Sequence, residues 1–402
     1  MFGIHCKPTP DSFRDLIMAS AADRRSTKID LLIGVYRDEN GHTPVMSAVK
    51  FAAERILNHE NSKSYISMTG REEFTGALMD LVLGDELARA RAVGMQTVGG
   101  AGALRVLCDL VKRSRPDATV WLSDPGYAGH YVIACSAGLR VRRFPYYDSV
   151  TGKVNVDGMF ASLRAAEKGD VVVVDASCQN PSGLDLGPEA WAELGRICQS
   201  RGLIPLVDVA YQGLARGLDA DVAGIAALAE AVDNVLVAVS CSKTFGVYRE
   251  RAGAAILIGP NRHQMGPALQ LMAEIGFGSY GVPPDHGAAI VQTILMDDHL
   301  RAMWQTELAG MRRRIRKMRH EFANLLSSTF AASNFGHVRA GNGLFAMLPL
   351  ADSQMQRLRH EHAIYGLDNG RINLTCMRST QLATLALAIR DVSQTPRYAK
   401  RA

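Results

Sequence analysis

The chain has 402 residues, of which 47% are apolar and 21% charged, and a formal net charge of +5. Those values exclude disordered and fibrous classes, give no polyelectrolyte signal for nucleic acid, and leave room for a large α/β domain with a smaller companion, or for two or three domains. Seven cysteines without paired spacing and with no Cys-x-x-Cys exclude a disulfide framework and a zinc knuckle, and favour a reducing compartment.

Met1 to Asp11 shows no long apolar core behind a positive start, and no later window has the length of a membrane span. A soluble, cytoplasmic protein without a membrane or nucleic-acid partner is expected. From about Gln96 to Ile258, strand-like runs alternate with amphipathic stretches, the pattern of a parallel sheet covered by helices. Gly99-Gly100-Ala101-Gly102 precedes a helix marked by Leu104, Leu107, Cys108 and Val111, and its small residues let backbone N–H groups approach a phosphate. Thr119-Val120-Trp121-Leu122 runs into the turn Asp124-Pro125-Gly126, Val171 to Val174 into Asp175, and Leu203 to Val207 into Asp208. Between them, Asn180-Pro181-Ser182-Gly183 is a turn signature and Pro188 opens a helix. Ligands of open α/β sheets bind at the carboxyl edge of the strands, so these polar strand ends are where chemistry is expected.

The next strand, Val235 to Val239, ends in Ser240, Ser242 and Lys243, with Arg251 eight residues further on. A lysine at the mouth of a buried strand is partly desolvated, which lowers its pKa and frees a neutral amine for Schiff-base chemistry. Ser240, Ser242 and Arg251 have the donors to hold a phosphate. A snorkelling lysine at a strand end explains the segment alone equally well. Asp208 and Tyr211, three residues apart, add to it: a carboxylate there keeps a pyridinium nitrogen charged while Asn180 and Tyr211 bond a ring hydroxyl, which makes the ring an electron sink.

After Asp298 the texture changes. Arg312-Arg313-Arg314-Ile315-Arg316-Lys317-Met318-Arg319 is basic, but Leu308, Met311, Ile315, Met318 and Phe322 recur through it at helical spacing, so the charges read as the wet face of a long helix. Mixed segments around Asn342-Gly343-Leu344-Phe345 and Arg371-Ile372-Asn373-Leu374 follow, then a final helix. A smaller domain of residues 1–44 and 301–402, beside a large one of 45–300, is expected. The one literal Gly-x-Gly-x-x-Gly, Gly276 to Gly281, leads into Pro283-Pro284 rather than opening a helix and is taken as chance, which leaves a dehydrogenase with little support.

In order, the glycine run, Tyr127, Asn180, Asp208, Tyr211, Ser-x-Ser-Lys and Arg251 resemble the class I pyridoxal-phosphate aminotransferases, aspartate and aromatic amino acid branch. Gly34-Val35-Tyr36-Arg37-Asp38, Tyr248-Arg249-Glu250-Arg251, Pro283-Pro284-x-His286-Gly287 and Gly370-Arg371-Ile372-Asn373 extend the likeness over almost the whole chain. The resemblance implies fold type I: a mostly parallel seven-stranded sheet sandwiched by helices, plus a smaller α+β domain. It implies that Lys243 carries pyridoxal 5'-phosphate and moves the Cα proton, that Asp208, supported by His130, pairs with the ring nitrogen, and that Tyr127 stacks on the ring. Gly100, Ala101, Ser240, Ser242 and Arg251 would bind the phosphate, with Tyr65 reaching it from the other subunit of a homodimer. Arg371, Asn180 and Gly34 would hold the substrate carboxylate.

Several positions depart from that pattern. Ala101 stands where a threonine often donates to the phosphate, and Tyr127 replaces the usual tryptophan. Phe277 stands where aspartate-specific members carry an arginine for the distal carboxylate, and a buried carboxylate left unpaired costs about 3–5 kcal/mol. Aspartate is therefore not the expected substrate, and Arg37 and Arg71 are the substitutes to consider for the dicarboxylic partner. Asp175 and Gln179 stand where relatives carry histidines, so the network behind Asp208 must differ. The expected activity is an aminotransferase on a non-acidic amino acid, aromatic or apolar, with Phe277 lining the pocket. A lyase, substitution or cyclisation enzyme on the same scaffold is the alternative, and a binding or regulatory protein that has lost catalysis is a third class.

Overall fold

A computed structural model describes residues 12–84, 86–330 and 335–394. The reading of Met1–Asp11, and Cys6 with it, lies outside them.

Seven strands form the main sheet: β1 (Ala92–Val98), β2 (Thr119–Asp124), β3 (Arg140–Pro145), β4 (Val171–Asp175), β5 (Ile204–Val209), β6 (Val235–Ser240) and β7 (Ala252–Ile258). Their spatial order is β1-β7-β6-β5-β4-β2-β3. Neighbours from β6 through β5, β4 and β2 to β3 pair in parallel, and β7 alone runs against both of its neighbours. The apolar runs that mark these strands are nearly continuous because both faces are covered. Val172 and Val174 point into one core and Val171 and Val173 into the other, the two-residue alternation of a strand. The helices Gly99–Ser114 and Gly266–Tyr280 cover the second face, and Ser47–His59, Glu72–Leu83, Pro188–Arg201 and Asp285–Met296 pack on the first.

A third apolar cluster joins Ile29 and Leu31 to residues of the last third of the chain, including Phe322, Val338, Leu358, Ile372 and Ile389. Two small sheets hold it together: Ile29–Asp30 pairs in parallel with Ile364–Tyr365, and Phe345–Met347 pairs antiparallel with Arg371–Asn373. The N-terminal segment is thus stitched to the C-terminal one by main-chain hydrogen bonds.

The helix Asp298–Thr329 runs for 32 residues, and the Asp297 side chain caps it by accepting from the Leu300 N–H at 2.9 Å. Trp304, Leu308, Met311 and Ile315 sit in the sheet-side core and Met318, Phe322 and Leu326 in the third cluster, so this one helix serves both. Its charged residues are not all wet, as the sequence suggested. Arg319 is 1% exposed and donates to the carbonyls of Gly343, Val338 and Asn342 at 3.0, 2.8 and 2.7 Å, and also to that of Phe345. Five donors in a planar fork can satisfy the loop that returns past the helix, a use of arginine that periodicity does not reveal. The glycine run also differs from expectation: it is the first turn of Gly99–Ser114 rather than a loop before it. Gly276 and Gly278 lie within a helix, in agreement with the dismissal of that dinucleotide match.

Candidate active site

Residues at or just beyond the carboxyl ends of β2, β4, β5 and β6 line one cavity of about 430 Å³. Gly34, Gly100, Ala101, Tyr127, Asn180, Asp208, Tyr211, Ser240, Ser242, Lys243, Arg251 and Arg371 all reach it. Tyr65 and Phe277 do not: they are 92% and 58% exposed on the surface of this chain.

One end of the cavity is an anion cradle. The helix Gly99–Ser114 begins here with no side-chain cap, leaving its first N–H groups without intrahelical partners. A Cβ on Gly100 would stand 2.8 Å from the Cβ of Ser240, and one on Gly99 would stand 2.6 Å from Nη2 of Arg251, so only glycine allows this approach. Ser240 caps the single turn Cys241–Thr244, accepting from the Ser242 N–H at 3.3 Å, and Ser242 Oγ accepts from Arg251 Nη1 at 3.3 Å. Arg251 has φ 54°, a left-handed conformation that costs a non-glycine residue about 1–3 kcal/mol and here carries its guanidinium to the glycine turn.

Lys243 sits on that same turn, with Nζ 4.9 Å from the centroid of the Tyr211 ring. The turn is locked from behind. Trp304 stacks on Phe245 with centroids 4.6 Å apart and donates to the Thr244 carbonyl at 2.8 Å, while Thr244 Oγ1 donates to the Gln212 carbonyl at 3.0 Å. Burial, opposed by the charge of Asp208 and reinforced by Arg251, lowers the pKa of Lys243 below that of an ordinary lysine.

Asp208 is 5% exposed, and its Oδ2 lies 2.8 Å from Nε2 of His130, a residue of the helix Ala128–Ser136. Burial opposes charge on His130, but the hydrogen bond to Asp208 and the charges of Asp208 and Asp175 outweigh it and raise its pKa. Tyr127 meets His130 edge-on with centroids 5.2 Å apart. Tyr211 is pushed well above its ordinary pKa by burial and by Asp175 and Asp208, so its phenol stays a donor. Of the two residues expected to alter the network behind Asp208, Asp175 lies beside it. Gln179 instead clamps the turn carrying Asn180: its Nε2 donates to the carbonyls of Pro125 at 3.0 Å and Asn180 at 3.1 Å, and its Oε1 accepts from the Ser182 N–H at 2.9 Å.

The opposite wall comes from the small sheets and the N-terminal segment. Arg371 donates through Nη2 to the Leu32 carbonyl at 2.6 Å and lies over the rings of Phe345 and Phe13, 4.7 and 5.6 Å from their centroids. Its Nε is buried without a partner among the described residues. Asn373 Nδ2 donates to the carbonyls of Ile33 at 2.7 Å and Val35 at 2.8 Å, which holds Gly34 at the cavity. With Asp175 and Ala210, Phe13, Ile17, Ile33, Leu104, Tyr248 and Phe345 complete the lining. Sequence reasoning missed these as site residues. Leu104, Tyr248 and Phe345 lie inside patterned segments of the sequence, whereas Phe13 and Ile17 carry no signal beyond apolar spacing. Neither Arg37 nor Arg71 lines the cavity, and Arg71 is held in a two-point pair with Asp285, one bond of it 2.9 Å.

A glycine cradle too tight for any side chain, a desolvated lysine, a buried carboxylate and an arginine with an orphaned donor together suit a phosphorylated pyridine aldehyde and a carboxylate-bearing substrate. Comparison with known proteins points the same way. The family model described as aminotransferase class I and II matches residues 26–389. A tyrosine aminotransferase of Rhizobium meliloti is 41% identical over 386 residues, 96% of this chain and 98% of that protein. An aspartate aminotransferase of Escherichia coli is 40% identical, over 92% of this chain and 94% of its own length. The crystal structure of an aromatic-amino-acid aminotransferase from Burkholderia pseudomallei covalently bound to pyridoxal phosphate superposes with a TM-score of 0.94 at 36% identity, covering 98% of this chain and 99% of that one.

Proposed function

Because the chain belongs to the class I and II aminotransferases, we propose that it transfers the amino group of an aromatic or otherwise non-acidic amino acid to a 2-oxo acid. It is a pyridoxal-phosphate-dependent transferase of fold type I. The relatives give no support to the lyase, substitution or cyclisation reactions that the sequence also allowed.

Lys243 would hold the aldehyde carbon of the cofactor, Asp208 its ring nitrogen, Asn180 and Tyr211 its ring hydroxyl, and Tyr127 its face. Gly100, Ala101, Ser240, Ser242 and Arg251 would hold its phosphate. When bound, the cofactor supplies an aldehyde that exchanges amino groups and a protonated ring that accepts the electron pair left at Cα. The chain's own residues do the rest. Lys243, with its lowered pKa, supplies a neutral amine as the base for the Cα proton. Arg371, oriented by the Leu32 carbonyl and the faces of Phe345 and Phe13, presents its fork to the α-carboxylate. Buried Asp208 keeps negative charge where the ring nitrogen would lie.

The observation that carries the substrate class is the remaining lining. Arg251 and Arg371 are the arginines among the described residues of the cavity, and the rest of the substrate wall is Phe13, Ile17, Ile33 and Phe345. On this chain's own lining, a second carboxylate would therefore meet apolar groups. The name of the Rhizobium relative supports the same class.

The reading includes a homodimer in which Tyr65 and Phe277, exposed here, reach the cavity of the second copy. Exposed Phe51 and Leu57, at 52% and 80%, support a covered face. It also keeps the division into residues 45–300 and residues 1–44 with 301–402, although the helix Asp298–Thr329 is shared by both cores. A cytoplasmic setting is supported by six free cysteines among the described residues.

Addition of tyrosine or phenylalanine to the purified holoenzyme should convert the cofactor to its amine form, seen in its absorbance, with release of the matching 2-oxo acid. Borohydride reduction followed by peptide mapping should place the label on Lys243. Ammonia or a rearranged amino acid as product, or aspartate reacting faster than tyrosine, would overturn the proposal.

A further inference from the structure

We propose that Asp175 is a positioning residue for the cofactor's ring nitrogen, acting on Asp208 through His130. The inference rests on the assignment of Asp208 to that nitrogen.

Asp175 closes β4 and is in direct register with Asp208 on the parallel neighbour β5. One carboxylate oxygen of each of these two residues and a ring nitrogen of His130 all lie within 4.8 Å of one another, and Nε2 of His130 is 2.8 Å from Asp208 Oδ2. The imidazole therefore bonds one carboxyl group, that of Asp208, and feels the charge of the other at close range. Two carboxylates this close repel when both are ionised, and a protonated imidazole beside them relieves the repulsion. Asp175 thus helps decide whether His130 is charged. That charge decides how much of Asp208's negative charge is held by the imidazole rather than offered to a ring nitrogen.

The groups facing Asp175 are His130 from the helix Ala128–Ser136, Asp208 and Tyr211 at and beyond the end of β5, Asp185 from the turn after β4, and Tyr146 beyond β3. Burial first, then Asp208 and Asp185 against the opposing pull of His130, push the Asp175 carboxyl up to about 7. Its carboxyl therefore keeps a proton to higher pH than an ordinary aspartate does. Gln179, the other departure nearby, is fully engaged in its own turn and takes no part.

The test is a pH titration of the His130 ring by NMR in cofactor-free protein with labelled histidine, assigned with His130→Gln, alongside the pH profile of the visible absorbance of the holoenzyme. In Asp175→Asn the His130 titration should move to lower pH, and the absorbance profile should move with it. Asp175→Glu, which restores the carboxylate, should move both back toward wild type, and it provides a second variant should the first fold poorly. A merely structural residue would change melting temperature or cofactor affinity and leave both titrations in place. Unmoved titrations with Lys243 still labelled by borohydride would overturn this inference alone. Absence of the label would overturn the reading of the site on which it rests.

Discussion

The two walls of the cavity are built differently. The cofactor wall stands on ends of the central sheet: Asp208, Ser240 and Lys243 are fixed by strands buried on both faces and by side chains that lock each turn from behind. The substrate wall is assembled from two small sheets and an N-terminal helix, and it joins distant stretches of chain through single hydrogen bonds such as Arg371 to Leu32. Chemistry common to many substrates needs one rigid geometry, whereas choice among substrates needs only a lining that can be exchanged residue by residue.

The sharpest break in this comparison is Lys243→Ala. Removing the base and the anchor from the rigid wall should lower kcat about 10⁴-fold or more, while thermal unfolding stays close to wild type because the turn is held by Thr244 and Phe245 rather than by the lysine itself. A variant that kept even a hundredth of the activity would show that Lys243 is not the base.

Arg371→Lys strikes the other wall. The charge is kept but the planar fork and its stacking on Phe345 are lost, so kcat/KM for amino acids should fall about 10²–10³-fold. Cofactor affinity and borohydride labelling should be unchanged, because no phosphate or ring contact is touched. An aromatic amine without a carboxylate makes the internal control. If its turnover fell as steeply as that of tyrosine, the arginine would be acting on the architecture and not on the carboxylate.

The same contrast explains what could be read in the sequence. Asn180, Asp208, Tyr211, Ser240, Ser242, Lys243 and Arg251 follow strands whose unbroken apolar runs are visible by eye, so their place at the sheet edge followed from pattern, and all line the cavity. Phe13 and Ile17 lie more than 300 residues from Arg371, beside which Phe13 packs, and only tertiary folding brings them together. The burial of Arg319 is hidden from the sequence for a related reason: the hydrophobic period of its helix is correct, but the partners that justify burying its charge are carbonyls of a short helix and loop some twenty residues further on. Asp175 is visible in the sequence as a departure, yet its register with Asp208 is a property of strand pairing. Tyr65 and Phe277 are the remaining case, since their expected role depends on a surface that one chain does not complete.

Phe277→Arg should have the smallest effect and is the most specific of the three. If Phe277 reaches the cavity of a second copy, an arginine there offers a fork to a distal carboxylate that the wild-type lining leaves unpaired. The cost of about 3–5 kcal/mol for leaving that carboxylate unpaired will not be fully relieved, because nothing around an introduced side chain has been shaped to hold it. A gain of about tenfold in kcat/KM for aspartate, corresponding to about 1.4 kcal/mol, is the expected scale, with a loss of similar size for tyrosine. Placement across an interface can be tested separately. Co-expressing the Phe277→Arg chain with a Lys243→Ala chain creates hybrid dimers in which the intact lysine faces a wild-type Phe277 and the arginine faces the inactive site. The hybrid should then show the wild-type preference for tyrosine. Were it instead to favour aspartate as the Phe277→Arg homodimer does, residue 277 would be serving the cavity of its own chain, and the substrate wall would have to be redrawn without a second copy.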